Sequence, residues 1–197
     1  MKIIGAVLGA VAVAALVVVL WAVGSYNSIV GRNEEVSKAW GQVENQYQRR
    51  LDLVPNLVET VKGSAKFEKD TLTAVVEARA KVGQMTVGKA VLDDPATFKK
   101  FEEAQGGLTS ALSRLMVVAE KYPELKSTQG FRDLQVQLEG TENRVAVARK
   151  DFNDAAQDYN TAIKRFPGSM VAGYGGFKER PYFAAAPEAA KAPAVKF

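Results

Sequence analysis

Apolar residues fill one stretch of the chain solidly and then recur at helical spacing. Ile3–Val23 holds 21 residues without a charged or polar side chain. As a helix it is about 31 Å long, the thickness of a bilayer's hydrocarbon core. Beyond it Tyr26, Ile29, Val30, Asn33, Val36, Trp40, Val43, Tyr47, Leu51 and Val54 keep the helical period, which predicts a first helix extending the membrane helix directly. Pro55 is expected to end or kink it, because the ring clashes with the preceding turn. Pro55-Asn56 is then expected to open a second helix with the stripe Leu57, Val58, Val61, Ala65, Leu72, Val75, Val76 and Val82. Glu59–Lys62 and Lys66–Asp70 are spaced for exposed ion pairs on it. Gly83–Asp93 breaks the pattern and reads as a connector. Asp94-Pro95 starts a third helix carrying Phe98, Phe101, Ala104, Leu108, Leu112, Leu115, Val118, Ala119 and Tyr122. Gly106-Gly107 within it implies a close neighbour or a weak point, since each Gly costs about 1 kcal/mol relative to Ala. Tyr122-Pro123 stops that helix, and Ser127 or Thr128 caps a fourth, Phe131–Phe166, about 54 Å long. Its seam is Leu134, Leu138, Thr141, Val145, Ala148, Phe152, Ala155, Tyr159, Ala162 and Phe166, a 3.5-residue repeat. Pro167 ends it, and Gly168, Gly173, Gly175 and Gly176 oppose a further helix.

Long helices with short links predict an all-α fold: an N-terminal transmembrane helix continuing into an antiparallel up-and-down four-helix bundle with coiled-coil-like helices. The segments are an anchor (1–24), a bundle domain (25–167) and a Gly/Ala/Pro-rich tail (168–197). The connector 83–93 then lies near the membrane, and the turns around Pro55 and Pro123 lie at the far tip. Within the tail, 176–183 carries Phe177, Tyr182 and Phe183. These are costly to leave in water, so the segment is expected to dock on the bundle's membrane-proximal flank, the bilayer interface being the second available surface. The Ala/Pro/Lys run that follows reads as mobile.

Composition narrows the chemistry. There is no Cys and no His, which removes disulfides, thiolate sites, Ser-His and Cys-His nucleophile systems and imidazole metal sites. Net charge is +4 with basic and acidic residues interleaved, so there is no nucleic-acid stripe. Asp151, Asp154, Asp158, Glu139 and Glu142 read as solvated helix faces rather than a metal site. No cofactor, metal, nucleic acid or small-molecule substrate is expected; the bilayer, further copies of the chain and a membrane-protein partner are. Lys2 and Ala22-Val-Gly24 partly fit a cleaved signal, but the apolar core is too long and runs on into helical pattern, so it reads as an uncleaved single-pass anchor. Trp21 and Tyr26 suit one headgroup layer. Lys2 lies nearer the membrane edge than Arg32 or Lys38, which places the N-terminus inside and the domain outside the cytoplasm.

Two surfaces stand out as interaction candidates. Arg49, Arg50 and Asp52, beside Pro55-Asn56, would meet Pro123, Glu124 and Lys126 at the tip as a charged partner-binding patch, or serve only as a helix end complementing its dipole. Charge reversal at Arg50 is expected to spare folding, because exposed charges contribute under about 0.5 kcal/mol. Gly5-x-x-x-Gly9, extended by Ala6, Ala10 and Ala14, forms a small-residue face suited to helix dimerisation.

Several longer motifs are distinctive: Tyr26-Asn27 and Ala39-Trp40 after the apolar segment, Gln46–Gly63, Glu120–Lys126, Thr141–Arg149, Asp158–Pro167, Gly176–Phe183 and Pro193–Phe197. With them the chain resembles the LemA family of bacterial membrane proteins over nearly its whole length. Gly106-Gly107 departs from the helix-favouring residues that the resemblance leads one to expect. The resemblance implies a helical bundle on an N-terminal anchor in the bacterial inner membrane, with no established enzymatic activity. One branch resembling it is linked to building internal membranes in magnetotactic bacteria, which implies membrane organisation by analogy. The expected function is a non-enzymatic scaffold or adaptor acting through self-association; the alternative is a regulator or accessory subunit of a membrane protease or other envelope enzyme.

Overall fold

A computed structural model describes residues 2–63, 68–85 and 88–184. Ala65, Lys66 and the motif Pro193–Phe197 therefore lie outside the described residues, as does the run from 185 onward. Helix α1 is Lys2–Lys62, 61 residues and roughly 90 Å of unbroken helix. It passes through the apolar segment, whose large side chains are all exposed, and runs on to the far end of the molecule. The stop expected at Pro55 does not occur. A proline at 55 removes the N–H that would bond the Leu51 carbonyl. That carbonyl instead accepts a hydrogen bond from Arg79 Nε at 3.3 Å, donated across from the next helix. The freed acceptor is satisfied from outside, and the helix continues for two more turns. Leu57, Val58 and Val61, assigned above to a second helix, are thus core residues of α1.

Helix α2 is correspondingly short, Lys69–Gly83. A 3₁₀ turn at Lys89–Leu92 leads into α3, Pro95–Ala119. Asp94 caps α3 by accepting from Ala96 N and Thr97 N, and the bond from the Thr97 hydroxyl together with these holds its carboxyl below the usual range. Gly106 and Gly107 do not interrupt α3. Both are exposed, and a Cβ at either would meet no neighbour within 4 Å, so close packing does not explain them. A single turn, α4, covers Pro123–Lys126, and α5 covers Gln129–Lys164. The 3.5-residue seam of α5 is buried from Leu138 to Phe152 and again at Tyr159, while Ala156 and Ile163 are buried in place of the half-buried Ala155 and Ala162, and Phe166 is 80% exposed. A straight helix drifts about 20° per heptad from a strict seven-residue repeat, and this one follows the drift. The glycine-rich stretch after Pro167 forms a helix after all, α6, Gly168–Gly175. Gly168 abuts the Ala162 carbonyl where a Cβ would collide, and Gly176 closes α6 in the left-handed region at φ 68°.

Contacts between α1 and α5 run in opposite order along the two helices. Trp40 meets Phe152 at 5.5 Å between ring centroids, and Arg50 meets Glu142 at 2.9 Å. The apolar core is divided in two. One cluster, nearer the apolar segment, centres on Trp40, Phe98, Phe101, Phe152 and Phe183. The other, at the far end, joins Val54–Val61 of α1 to Leu108, Leu112, Leu115, Leu125, Phe131 and Leu138. Removing the Arg79 donor by Arg79→Ala is expected to cost about 1 kcal/mol in urea unfolding. In a Pro55→Ala background, where the restored backbone N–H at position 55 reclaims the Leu51 carbonyl, that cost should largely vanish. Equal costs in both backgrounds would show that Arg79 does not support the proline.

Candidate functional site

Between the two apolar clusters lies a polar layer built on Arg50. The side chain is 1% exposed, so the surface role expected for it is overturned. Arg50 faces inward because it lies seven residues before Leu57 and three after Tyr47, on the stripe that α1 buries. Its Nη1 donates to Glu142 Oε1 at 2.9 Å and to Thr109 Oγ1 at 2.7 Å, and its Nη2 donates to Gln105 Oε1. Thr109 in turn donates to the Gln105 carbonyl at 3.2 Å. The guanidinium lies 4.8 Å from the Tyr47 ring centroid, and Nε has no partner among the described residues. Burial pushes the Tyr47 phenol up, partly opposed by the nearby Arg149 and Arg50 charges. One residue of α1 is thus tied to α3 and α5 at once. A groove of about 220 Å³ lined by Glu44, Tyr47, Gln48, Phe101 and Gln105 borders this layer. It is below the ~300–1,000 Å³ of typical small-molecule sites.

The other tip residues remain outside this layer. Arg49, Asp52, Pro55 and Asn56 are exposed on α1, with Asp52 accepting from Gln48 Nε2 at 2.8 Å. Asn56 opens no helix; its carbonyl accepts from Thr60 Oγ1 at 2.8 Å within α1. Pro123 and Glu124 lie on α4, and both are exposed. The α1–α2 turn lies beyond Lys62, where Glu68 pairs with Lys121 at 3.7 Å, so the end of α1 is displaced from Pro55. Gly5 and Gly9 lie on the outside of the apolar segment, and a Cβ at either would meet nothing within 4 Å.

The second feature is a strap, residues 177–184, extended along α5. Phe183 is 4% exposed and packs between Phe98, Phe152 and Trp40, with ring centroids 4.9, 5.5 and 6.1 Å away. Arg149 covers its ring at 4.5 Å. Phe177 meets Tyr26 of α1 at 5.4 Å, and Tyr182 is half exposed while its hydroxyl accepts from Asn160 Nδ2 at 3.0 Å. Pro181 keeps Arg180 extended. The strap's backbone is held by two asparagines of α5. Asn160 donates to the Arg180 carbonyl at 2.8 Å and accepts from Arg180 N at 2.9 Å. Asn153 does the same for Phe183, at 3.0 and 2.9 Å. Seven helical residues rise about 10.5 Å and three extended residues span about 10 Å, so Asn153 and Asn160 match Phe183 and Arg180 in register. Arg180 then reaches Asn33 of α1 at 3.0 Å and Asp93 before α3, and Ala184 N donates to Glu102 at 3.1 Å. Sequence reasoning missed this pair. The available signal was two asparagines, poor helix formers, seven residues apart beside the seam positions Phe152 and Tyr159.

Among the described residues no group of three or more acidic side chains gathers as a metal site. The geometry ties α1, α3, α5 and the strap together. Residues 39–197 match a family model described as the LemA family. The chain is 33% identical to magnetosome protein MamQ 2 of Paramagnetospirillum magneticum, over 80% of this chain and 64% of that protein. It is 30% identical to magnetosome protein MamQ of Magnetospirillum gryphiswaldense with the same coverage, and 22% identical to protein LemA of Metamycoplasma hominis over 76% of this chain. The chain therefore spans about 64% of the length of these curated relatives.

Three variants test the site. Arg50→Leu should destabilise by about 2–3 kcal/mol, because Glu142 and Gln105 lose their donor while Glu142 keeps some water. Arg50→Glu should prevent folding, opposite to the exposed-charge expectation. A loss under about 0.5 kcal/mol for either would place Arg50 at the surface. Phe183→Ala should release the strap, costing about 3–5 kcal/mol of docking. Amide exchange at 178–184 should then approach unprotected rates while α1 and α5 stay protected. Unchanged protection would mean that Phe183 does not hold the strap.

Proposed function

We propose that this chain, which belongs to the LemA family, is a non-enzymatic scaffold or adaptor that holds a rigid helical body at a fixed height above a membrane. It is a membrane-associated, all-helical protein similar to magnetosome proteins. The observation that carries the scaffold reading is the continuity of α1. A body joined to its anchor by one helix without a linker cannot swing freely, so a partner bound to it is held at a set distance and angle from the bilayer. In this reading the body is an antiparallel up-and-down bundle, the anchor crosses the bacterial inner membrane once, and the domain lies outside the cytoplasm. Arg49, Asp52 and Glu124, all exposed, supply with Pro123 the surface offered to a membrane-protein partner. Gly5 and Gly9 supply the face through which copies associate within the bilayer.

Crosslinking in native membranes tests the reading. The unmodified protein should give dimers or larger species together with a membrane-protein partner, and Gly9→Leu should diminish the self-crosslinked species. Undiminished species would remove the anchor face as the contact. Absence of any oligomer in the unmodified protein would remove self-association altogether.

A further inference from the structure

We propose that α6 and the Phe166 before it lie in the headgroup layer of the bilayer crossed by Ile3–Val23, giving the domain a second, peripheral membrane contact. The proposal rests on the reading of Ile3–Val23 as the span. Phe166–Phe177 contains 12 residues without a charge, bracketed by Lys164 and Arg165 on one side and Lys178 on the other. The structure divides this stretch by face. Ala172 is buried in the cluster that holds Ile29 and Ile163, with Val171 packed against it. Met170 and Tyr174, four residues apart on α6, are 57% and 95% exposed, and Phe166 before the helix is 80% exposed. Three large apolar side chains so exposed on one short stretch form an unpartnered patch.

The depth of that patch identifies what covers it. Phe177, just after α6, packs on Tyr26 of α1. Tyr26 is three residues, or about 5 Å, beyond the last apolar residue of the span. The headgroup layer on each side of the hydrocarbon core is roughly 5–7 Å thick. α6 therefore meets α1 at headgroup depth, beside Tyr26, where aromatic rings with one wet end are favoured. The surrounding charge fits anionic lipid. Arg165 and Lys178 are exposed, and Lys164 pairs with Glu179 at 2.7 Å. The strap's other aromatic anchor, Phe183, faces the core, so membrane contact falls to α6 and the adjoining Lys178 and not to the strap's far end.

The native chain has no Cys, so single cysteines can be placed without removing any. Full-length Met170→Cys, Tyr174→Cys, Val18→Cys and Val117→Cys proteins would be nitroxide-labelled and reconstituted into liposomes of phosphatidylcholine and phosphatidylglycerol. Relative access of molecular oxygen and a water-soluble nickel chelate would then be read by power saturation. Labels at 170 and 174 should show an oxygen-to-nickel ratio several-fold above that at 117 and below that at 18. A ratio at both sites equal to that at 117, with 18 lipid-exposed, would overturn the α6 contact and leave the span intact. An aqueous label at 18 would overturn the span and the α6 contact with it. Labels at 170 and 174 shielded from both reagents and dipolar-coupled between copies would show a second chain on this face, which also overturns the proposal.

Discussion

Every other element takes its position from the continuity of α1. The helix carries, in order, the apolar segment, the Tyr26 contact with the segment after α6, the Trp40 cluster, the Arg50 layer and the distal core from Val54 to Val61. A break at Pro55 would uncouple the last of these from the rest. The bond from Arg79 to the Leu51 carbonyl is a small interaction, about 1 kcal/mol, with a large architectural consequence. It lets a proline sit in a long helix without ending it, and it couples α2 to α1 at that point.

The Arg50 layer supplies what apolar seams alone do not. Seams with a near-heptad repeat can slide by one repeat and still bury carbon against carbon. A slip of one heptad would move Glu142 about 10 Å from Arg50. It would leave a guanidinium in an apolar setting, with its desolvation uncompensated. The layer thus specifies alignment among α1, α3 and α5 more than it adds stability. The strap repeats the principle with neutral groups. Asn153 and Asn160 pair with backbone N–H and C=O of an extended segment, and Phe183 fills the space among Trp40, Phe98 and Phe152. Arg180 then ties the strap to Asn33 of α1, and Glu102 ties it to α3.

Much of this was legible in periodicity. The apolar segment, its direct continuation into α1, the α3 start at Asp94-Pro95 and the long α5 all follow from spacing and capping residues. What was not legible depended on partners distant in sequence. Pro55 reads as a stop unless Arg79, in another helix, is known to cap Leu51. Arg50 reads as a surface charge, since Arg is seldom buried unless paired, and its partners Gln105, Thr109 and Glu142 lie on other helices. The glycines of α6 argue against a helix, yet tertiary packing of Ala172 outweighs propensity there.

The central claim is that one rigid helix joins the membrane segment to the far end of the body. It is tested most directly by a distance. In full-length protein with nitroxides at Leu20→Cys and Glu59→Cys, reconstituted in bilayers and diluted with unlabelled copies, pulsed dipolar spectroscopy would report the separation along α1. A continuous α1 gives a single narrow distribution at about 60 Å, the rise of an uninterrupted helix between those positions. A broad distribution, or a population tens of ångströms shorter, would show that the helix bends or breaks between membrane and tip, and would contradict that continuity.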